Sequence, residues 1–290
     1  MPPAAVLAIA VSAISAAAVL VRLAPDASPV ALAFWRTAAV ALLLAPSLLR
    51  PTARGELRAL PRSQAALMVL AGVFLAGHFW TWFASLQHTT VLRSTLLVCL
   101  SPLWAGIIGW VWLGERPSRG FFGGIAAAVL GVGVMSGGVA TGGDWIGDLL
   151  ALVGGLLAAV YLTVGRKVRA RVSIAPYGAI VCGCCALSLL PAAAATGAPL
   201  LGFSTGTWLA IAGMALGPQL LGHIGLNYAV RFLPAATVTA VVLLEPVGAA
   251  ALGALVLGEL PAAREWAGAG VVLVGVALAT WPRRRPDPSR

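Results

Sequence analysis

Glu245 is a carboxylic acid inside an apolar run, ten residues past Ala235. At ~1.5 Å per helical residue it sits ~15 Å along that run, near the middle of a hydrocarbon layer ~30 Å thick. A charge there is disfavoured by about 2.5–3.5 kcal/mol, and intramembrane acids mark proton or substrate paths. Proton uptake and release as water access changes is the chemistry expected of it; a protonated carboxyl bonded to a neighbouring helix is the structural alternative. Ser101, 144 residues earlier, occupies the matching place of a related segment, so one site would hold an acid and a hydroxyl. Pro102 and Pro246 follow these two residues. Each lacks an N–H and should open the backbone, making hinge points or plain kinks.

Other polar side chains fall in apolar runs. Arg36 lies about two turns inside one, where snorkelling or a structural pair is expected and attraction of an anionic solute is the alternative. Arg93 stands nearer a run's end and reads as an interfacial anchor, with recruitment of a carboxylate as its other role. His78 and Trp82 are four apart and share a helix face, with Trp80 on another; His223 and Asn227 repeat that spacing. Both pairs are candidate solute contacts, or interhelical hydrogen bonders. Tyr161, Ser12 and Ser15 complete the candidates.

The elements that carry these residues follow from composition. Of 290 residues 60% are hydrophobic and 10% charged, with mean hydropathy +0.96. Soluble domains carry about a quarter charged residues, so the chain is expected to be a multi-pass membrane protein of the all-α class. Ten apolar spans are expected: Ala4–Val21, Val30–Leu48, Ala65–Ser85, Leu92–Leu113, Phe121–Val139, Trp145–Val164, Ala175–Ala195, Thr207–Tyr228, Ala235–Leu257 and Arg264–Trp281. The first is read as a retained helix and not a secretory signal, because its nearest basic residue, Arg22, follows the run.

The net charge of +10 is topological. One set of alternate loops, with the tail beyond Trp281, holds fifteen Lys and Arg; the other holds Arg22 and Arg264. The positive-inside rule then puts both termini in the cytoplasm of a cell-membrane protein. No aromatics interleave these basics, which argues against nucleic acid. Cys99, Cys182, Cys184 and Cys185 all lie in apolar runs and read as small buried hydrophobes; neither metal nor another cofactor is expected.

Sliding the chain by 144 residues aligns Ser94–Ser136 with Val238–Thr280 at thirteen identities in 43 positions. The shared frame is Pro102…Leu113-Gly114-Glu115-x-Pro117 against Pro246…Leu257-Gly258-Glu259-x-Pro261. Each half then supplies five spans, and an odd number inverts the second half relative to the first. Inverted repeats recur in secondary transporters, where they alternate access to a midplane site. Glu115 and Glu259 end their spans and are expected to cap or pair with loops. The GxxxG pairs Gly120/Gly124, Gly133/Gly137 and Gly213/Gly217 are expected to pack internally, with homodimerisation as the alternative.

The segments Leu100-Ser101-Pro102-Leu103-Trp104-Ala105 to Leu113-Gly114-Glu115, and Leu244-Glu245-Pro246-Val247 to Leu257-Gly258-Glu259, resemble the EamA-type repeats of the drug/metabolite transporter superfamily. The resemblance spans about residues 4–139 and 147–281. It implies ten helices in two inverted five-helix repeats (1–140 and 145–282, with a basic tail 283–290). It also implies a central cavity lined by the first, third, fourth, sixth, eighth and ninth spans, and transport of amino acids or other metabolites. The expected function is secondary active or facilitative transport of a small metabolite, with export and proton coupling as the working reading. A non-transporting scaffold or sensor is the alternative. An enzyme is not expected: no loop can hold a catalytic domain and no nucleophile–base set appears.

Overall fold

A computed structural model describes residues 2–114, 117–136, 144–223, 225–226 and 241–280. Every regular element described is helical: α1 (Pro3–Ser15), α2 (Ala17–Arg22), α3 (Pro29–Leu44), α4 (Pro51–Arg58), α5 (Arg62–Ser85), α6 (Val91–Val98), α7 (Ser101–Leu113), α8 (Arg119–Ser136), α9 (Asp144–Arg169), α10 (Ile174–Thr196), α11 (Thr205–Met214), α12 (Glu245–Leu257) and α13 (Ala263–Thr280). Among the described residues seven helical stretches are long and apolar enough to cross a bilayer. The expected fifth span is a shorter apolar helix and the ninth is described from Val241 onward. The large apolar side chains left on the outside, Leu42, Val111 and Leu255 among them, are the lipid-facing surface of a multi-pass membrane protein.

Helix starts follow local chemistry. The hydroxyls of Ser28, Thr90 and Ser204 accept from the N–H three residues on, satisfying orphan donors of α3, α6 and α11. Four spans depart from a plain rod. The first breaks at Ala16, where Ser15 Oγ bonds back to Val11 O at 2.9 Å. The eighth continues past α11 as a wide π-helix, Ala215–His223, containing Pro218; the missing N–H leaves the ladder to re-form around the ring. The fourth and ninth stop at Cys99–Leu100 and Leu243–Leu244 and restart as α7 and α12. Pro102 and Pro246 therefore occupy first turns of new helices, where a missing N–H does no harm. The same two helices end alike: Gly114 and Gly258 both take φ +67° and both donate to the carbonyl five residues back, Gly109 and Gly253. Only glycine adopts that left-handed turn freely.

The contacts between helices are reciprocal. A Cβ at Gly124 would strike the Gly275 carbonyl, and one at Gly131 would lie 2.7 Å from that of Gly268. Gly268 and Gly275 stand 144 residues on from Gly124 and Gly131, so each repeat position meets the other in both senses and α8 runs antiparallel to α13. A second set behaves likewise. His78 Nδ1 lies 2.9 Å from Gly154 O, while a Cβ at Gly222, 144 on from His78, would lie 3.5 Å from the carbonyl of Ala10, the counterpart of Gly154. Of the GxxxG pairs, Gly120 and Gly124 pack inward as expected. Cβ atoms at Gly133 and Gly217 would meet nothing within 4 Å and one at Gly213 would meet only Leu20, so Gly213/Gly217 makes no close backbone contact; Gly137 lies outside the described residues.

Candidate functional site

Arg36 does not snorkel. Its residue is 1% exposed, because α3 turns this face onto α5 and the π-helix. Nε donates to Gln219 Oε1 at 2.9 Å, and the guanidinium lies 4.3 Å over the Phe79 ring and 5.7 Å from that of Phe83. Among the described residues no carboxylate lies within salt-bridge distance of it. Gln219 Nε2 in turn approaches Cys182 Sγ at 3.8 Å. Cation–π contact and one charge-assisted hydrogen bond hold the group, yet Nη1 is buried with no hydrogen-bond partner.

The α5 face carries the aromatic side of this site. His78 stacks on Trp82 at 5.8 Å and 15°, as their spacing implied. Its Nδ1 faces a carbonyl and must carry the proton there. Trp82 packs on Phe83 at 5.4 Å, and its Nε1 is also buried without a partner. Phe79 offers a face to Arg36 and, at 6.4 Å, an edge relationship to His223. Trp80, expected on another face from His78 and Trp82, is exposed. Asn227 lies outside the described residues, as does Glu115.

Glu245 sits where the two broken spans cross. Its Oε2 lies 3.7 Å from Cys99 Sγ at the other break, and Ser15 Oγ reaches its backbone carbonyl at 3.3 Å. Ser101 opens α7 half-buried; Ser12 is exposed, unlike Ser15. Phe79 contacts both Arg36 and half-buried His223, and half-buried Glu245 lies within long-range electrostatic reach of the same guanidinium.

One end of the bundle, holding the 22–28 and 86–90 turns, is tied by polar contacts. Arg93 is 3% exposed and pairs with Asp148 of α9, which also accepts from Thr89 at 3.2 Å. It is an interior ion pair and not the interfacial anchor its shallow position suggested. Glu259 accepts from the Val91 N–H at 2.6 Å and meets Arg22 at 3.5 Å, the loop pairing expected of it. Asp26 accepts from the Ser204 N–H at 2.6 Å and from the Thr207 hydroxyl. The Ser204 N–H first, then the Thr207 hydroxyl, hold its carboxyl below the usual aspartate range. Trp35 Nε1 donates to Leu200 O at 2.6 Å.

The opposite end holds a cleft of about 40 Å³ bordered by Leu44, Tyr161, Tyr177, Cys182, Gln219 and His223. That space takes a few waters and no organic solute. Glu56 of α4 spans this end to Ser173; the Ser173 hydroxyl, then its N–H, keep the carboxyl below the usual glutamate range. A larger hollow of about 140 Å³, among Leu67, Ile108, Trp112, Val160 and Val164, is apolar and opens beside exposed Trp112, toward lipid.

Gln219 and Asp148 were not singled out from the sequence. A polar residue directly after a mid-span proline was the available signal for Gln219. For Asp148 it was an acid just inside one span end with Arg93 just inside another.

The profile of the EamA-like transporter family matches the chain twice, over residues 3–137 and 145–281. A probable terminal-alkyne amino-acid exporter of Streptantibioticus cattleyicolor is 30% identical over 211 residues, 68% of each chain. A solved crystal structure, described only as a protein, covers 96% of both chains at TM-score 0.64 and 21% identity, a likeness of fold. The chain therefore belongs to the EamA-like transporter family of the drug/metabolite transporter superfamily, and is a transporter, not an enzyme.

Proposed function

We propose that this protein is a secondary transporter that exports a small amino acid or related solute by alternating access. The ten spans form two five-helix repeats of opposite sense, with both termini in the cytoplasm. The observation that carries the reading is the reciprocity of contacts. Gly124 meeting Gly275 while Gly131 meets Gly268 is what a twofold axis between antiparallel copies requires, and such an axis lets the halves exchange roles around a shared site. The basic loops support placing the cleft bordered by Tyr177 and His223 on the cytoplasmic side. The polar ties at Asp26, Arg93 and Glu259 then close the outer side, and the conformation faces inward. The amino-acid reading draws on the exporter from Streptantibioticus cattleyicolor. Glu245, between the two breaks and beside Cys99, is the proton carrier.

The test is counterflow in proteoliposomes with a radiolabelled mixture of amino acids, with and without an imposed pH gradient. Flux above protein-free vesicles is expected, with pH-gradient stimulation lost in Glu245→Gln while counterflow persists. Stimulation that survives Glu245→Gln removes the proton role. Absence of flux for any amino acid removes the substrate class.

A further inference from the structure

Among the described residues, the buried cluster around Arg36 leaves donors without acceptors. Arg36 Nη1 and Trp82 Nε1 are both buried with no hydrogen-bond partner, and both residues pack near Phe83, at 5.7 and 5.4 Å from its ring. Tyr177 Oη, bordering the cleft with Gln219, is a third buried polar atom without a partner. Buried donors are nearly always satisfied, and a buried cation most of all, because each unmade bond forfeits its hydration with nothing in return. The side-chain oxygen bonded to Arg36 is that of neutral Gln219, and the nearby acid Glu245 lies beyond salt-bridge distance. The aromatic faces of Phe79 and Phe83 position the guanidinium plane without neutralising it. What completes such a set is a planar anion with two acceptor oxygens.

We propose that Arg36, oriented by Gln219 and Phe79, anchors the carboxylate of the transported solute, so that the site takes amino acids and small organic acids and rejects amines that lack the group. This rests on the transport reading above and names the chemistry its site selects. An anion arriving from the cytoplasmic cleft meets Gln219 first, since that residue borders the cleft and bonds Arg36. The present volume admits only water, so the carboxylate enters as α3 and the π-helix separate.

The experiment uses the full chain purified in detergent and three matched probes: valine, isovalerate (no amine) and isobutylamine (no carboxylate). Valine and isovalerate should raise the thermal unfolding midpoint at concentrations at least tenfold below any effect of isobutylamine. Arg36→Gln should erase that difference. Gln219→Glu places a built-in carboxylate beside Arg36; it should unfold at or above the wild-type temperature and no longer respond to isovalerate, which separates loss of binding from loss of fold. Equal responses to isovalerate and isobutylamine, no response to either, or an isovalerate response retained in Arg36→Gln or Gln219→Glu would each overturn the anchor. Carboxylate-dependent stabilisation without flux in proteoliposomes would end the transport reading and keep the anchor. Flux that isobutylamine inhibits as well as valine does would end the anchor alone.

Discussion

Arg36 and Arg93 pose the same problem in sequence, a cation inside an apolar run, and the fold answers them differently. Arg93 meets Asp148, an acid 55 positions away in the chain, and the pair is withdrawn from solvent together. Asp148→Asn leaves a buried guanidinium facing a neutral amide, and about 3 kcal/mol of stability should be lost. Replacing both with leucine should restore most of it, measured by thermal unfolding in detergent; a silent Asp148→Asn would show that the pair bears no stability. Asp26 makes a pH-dependent contact. Its carboxyl is held below its unfolded range, so its contribution is present above that range and is lost as pH falls through the folded value. Protease cleavage near the 22–28 turn should therefore rise at acid pH in the wild type, and Asp26→Asn should show the raised, pH-independent rate throughout. Depth along a span was readable from hydropathy for both arginines. Their partners were not, because they lie on other spans and hydropathy carries no information about which helix faces which.

The elements were legible to the extent that periodic apolar runs determine them. The breaks were half legible: Pro102 and Pro246 signalled interrupted helices, yet the interruption falls before each proline because proline fits a first turn better than a helix interior. The π-helix was not foreseen from Pro218, since re-registering a ladder depends on neighbouring helices. Close approach separates the glycines in a way their spacing could not. Gly124 has the backbone of α13 against it, whereas Gly133 has open space. A methyl at Gly124 would sit 2.8 Å from Ala279 N, so Gly124→Ala should cost about 1–3 kcal/mol through displacement of the two helices. Gly133→Ala should be neutral or slightly stabilising by helix propensity. Detergent unfolding of the two variants side by side checks this, and equal effects would contradict the packing.

At the scale of the molecule, two segments 144 residues apart, aligned in sequence at thirteen identities, share local geometry. Matched left-handed glycine caps close α7 and α12, and matched breaks precede them. The repeat was legible because the Pro…Leu-Gly-Glu-x-Pro frame is set by backbone needs, a first-turn proline and a capping glycine, that side-chain drift does not erase. The site was less so. Glu245, His78 and Arg36 were each visible as polar residues in apolar runs, but which of them face one another depends on how distant helices pack. That packing also bears on movement. Asp26 ties the turn between α2 and α3 to the start of α11, 178–181 positions away in the chain, at the end opposite the cleft. If access alternates, this tie must open once per cycle. The direct measurement is flux through Asp26→Cys/Thr207→Cys in a background with Cys99, Cys182, Cys184 and Cys185 replaced. Oxidation to a disulfide should abolish counterflow and reductant should restore it; an oxidised, fully cross-linked carrier moving solute at the reduced rate would contradict alternating access between the two repeats.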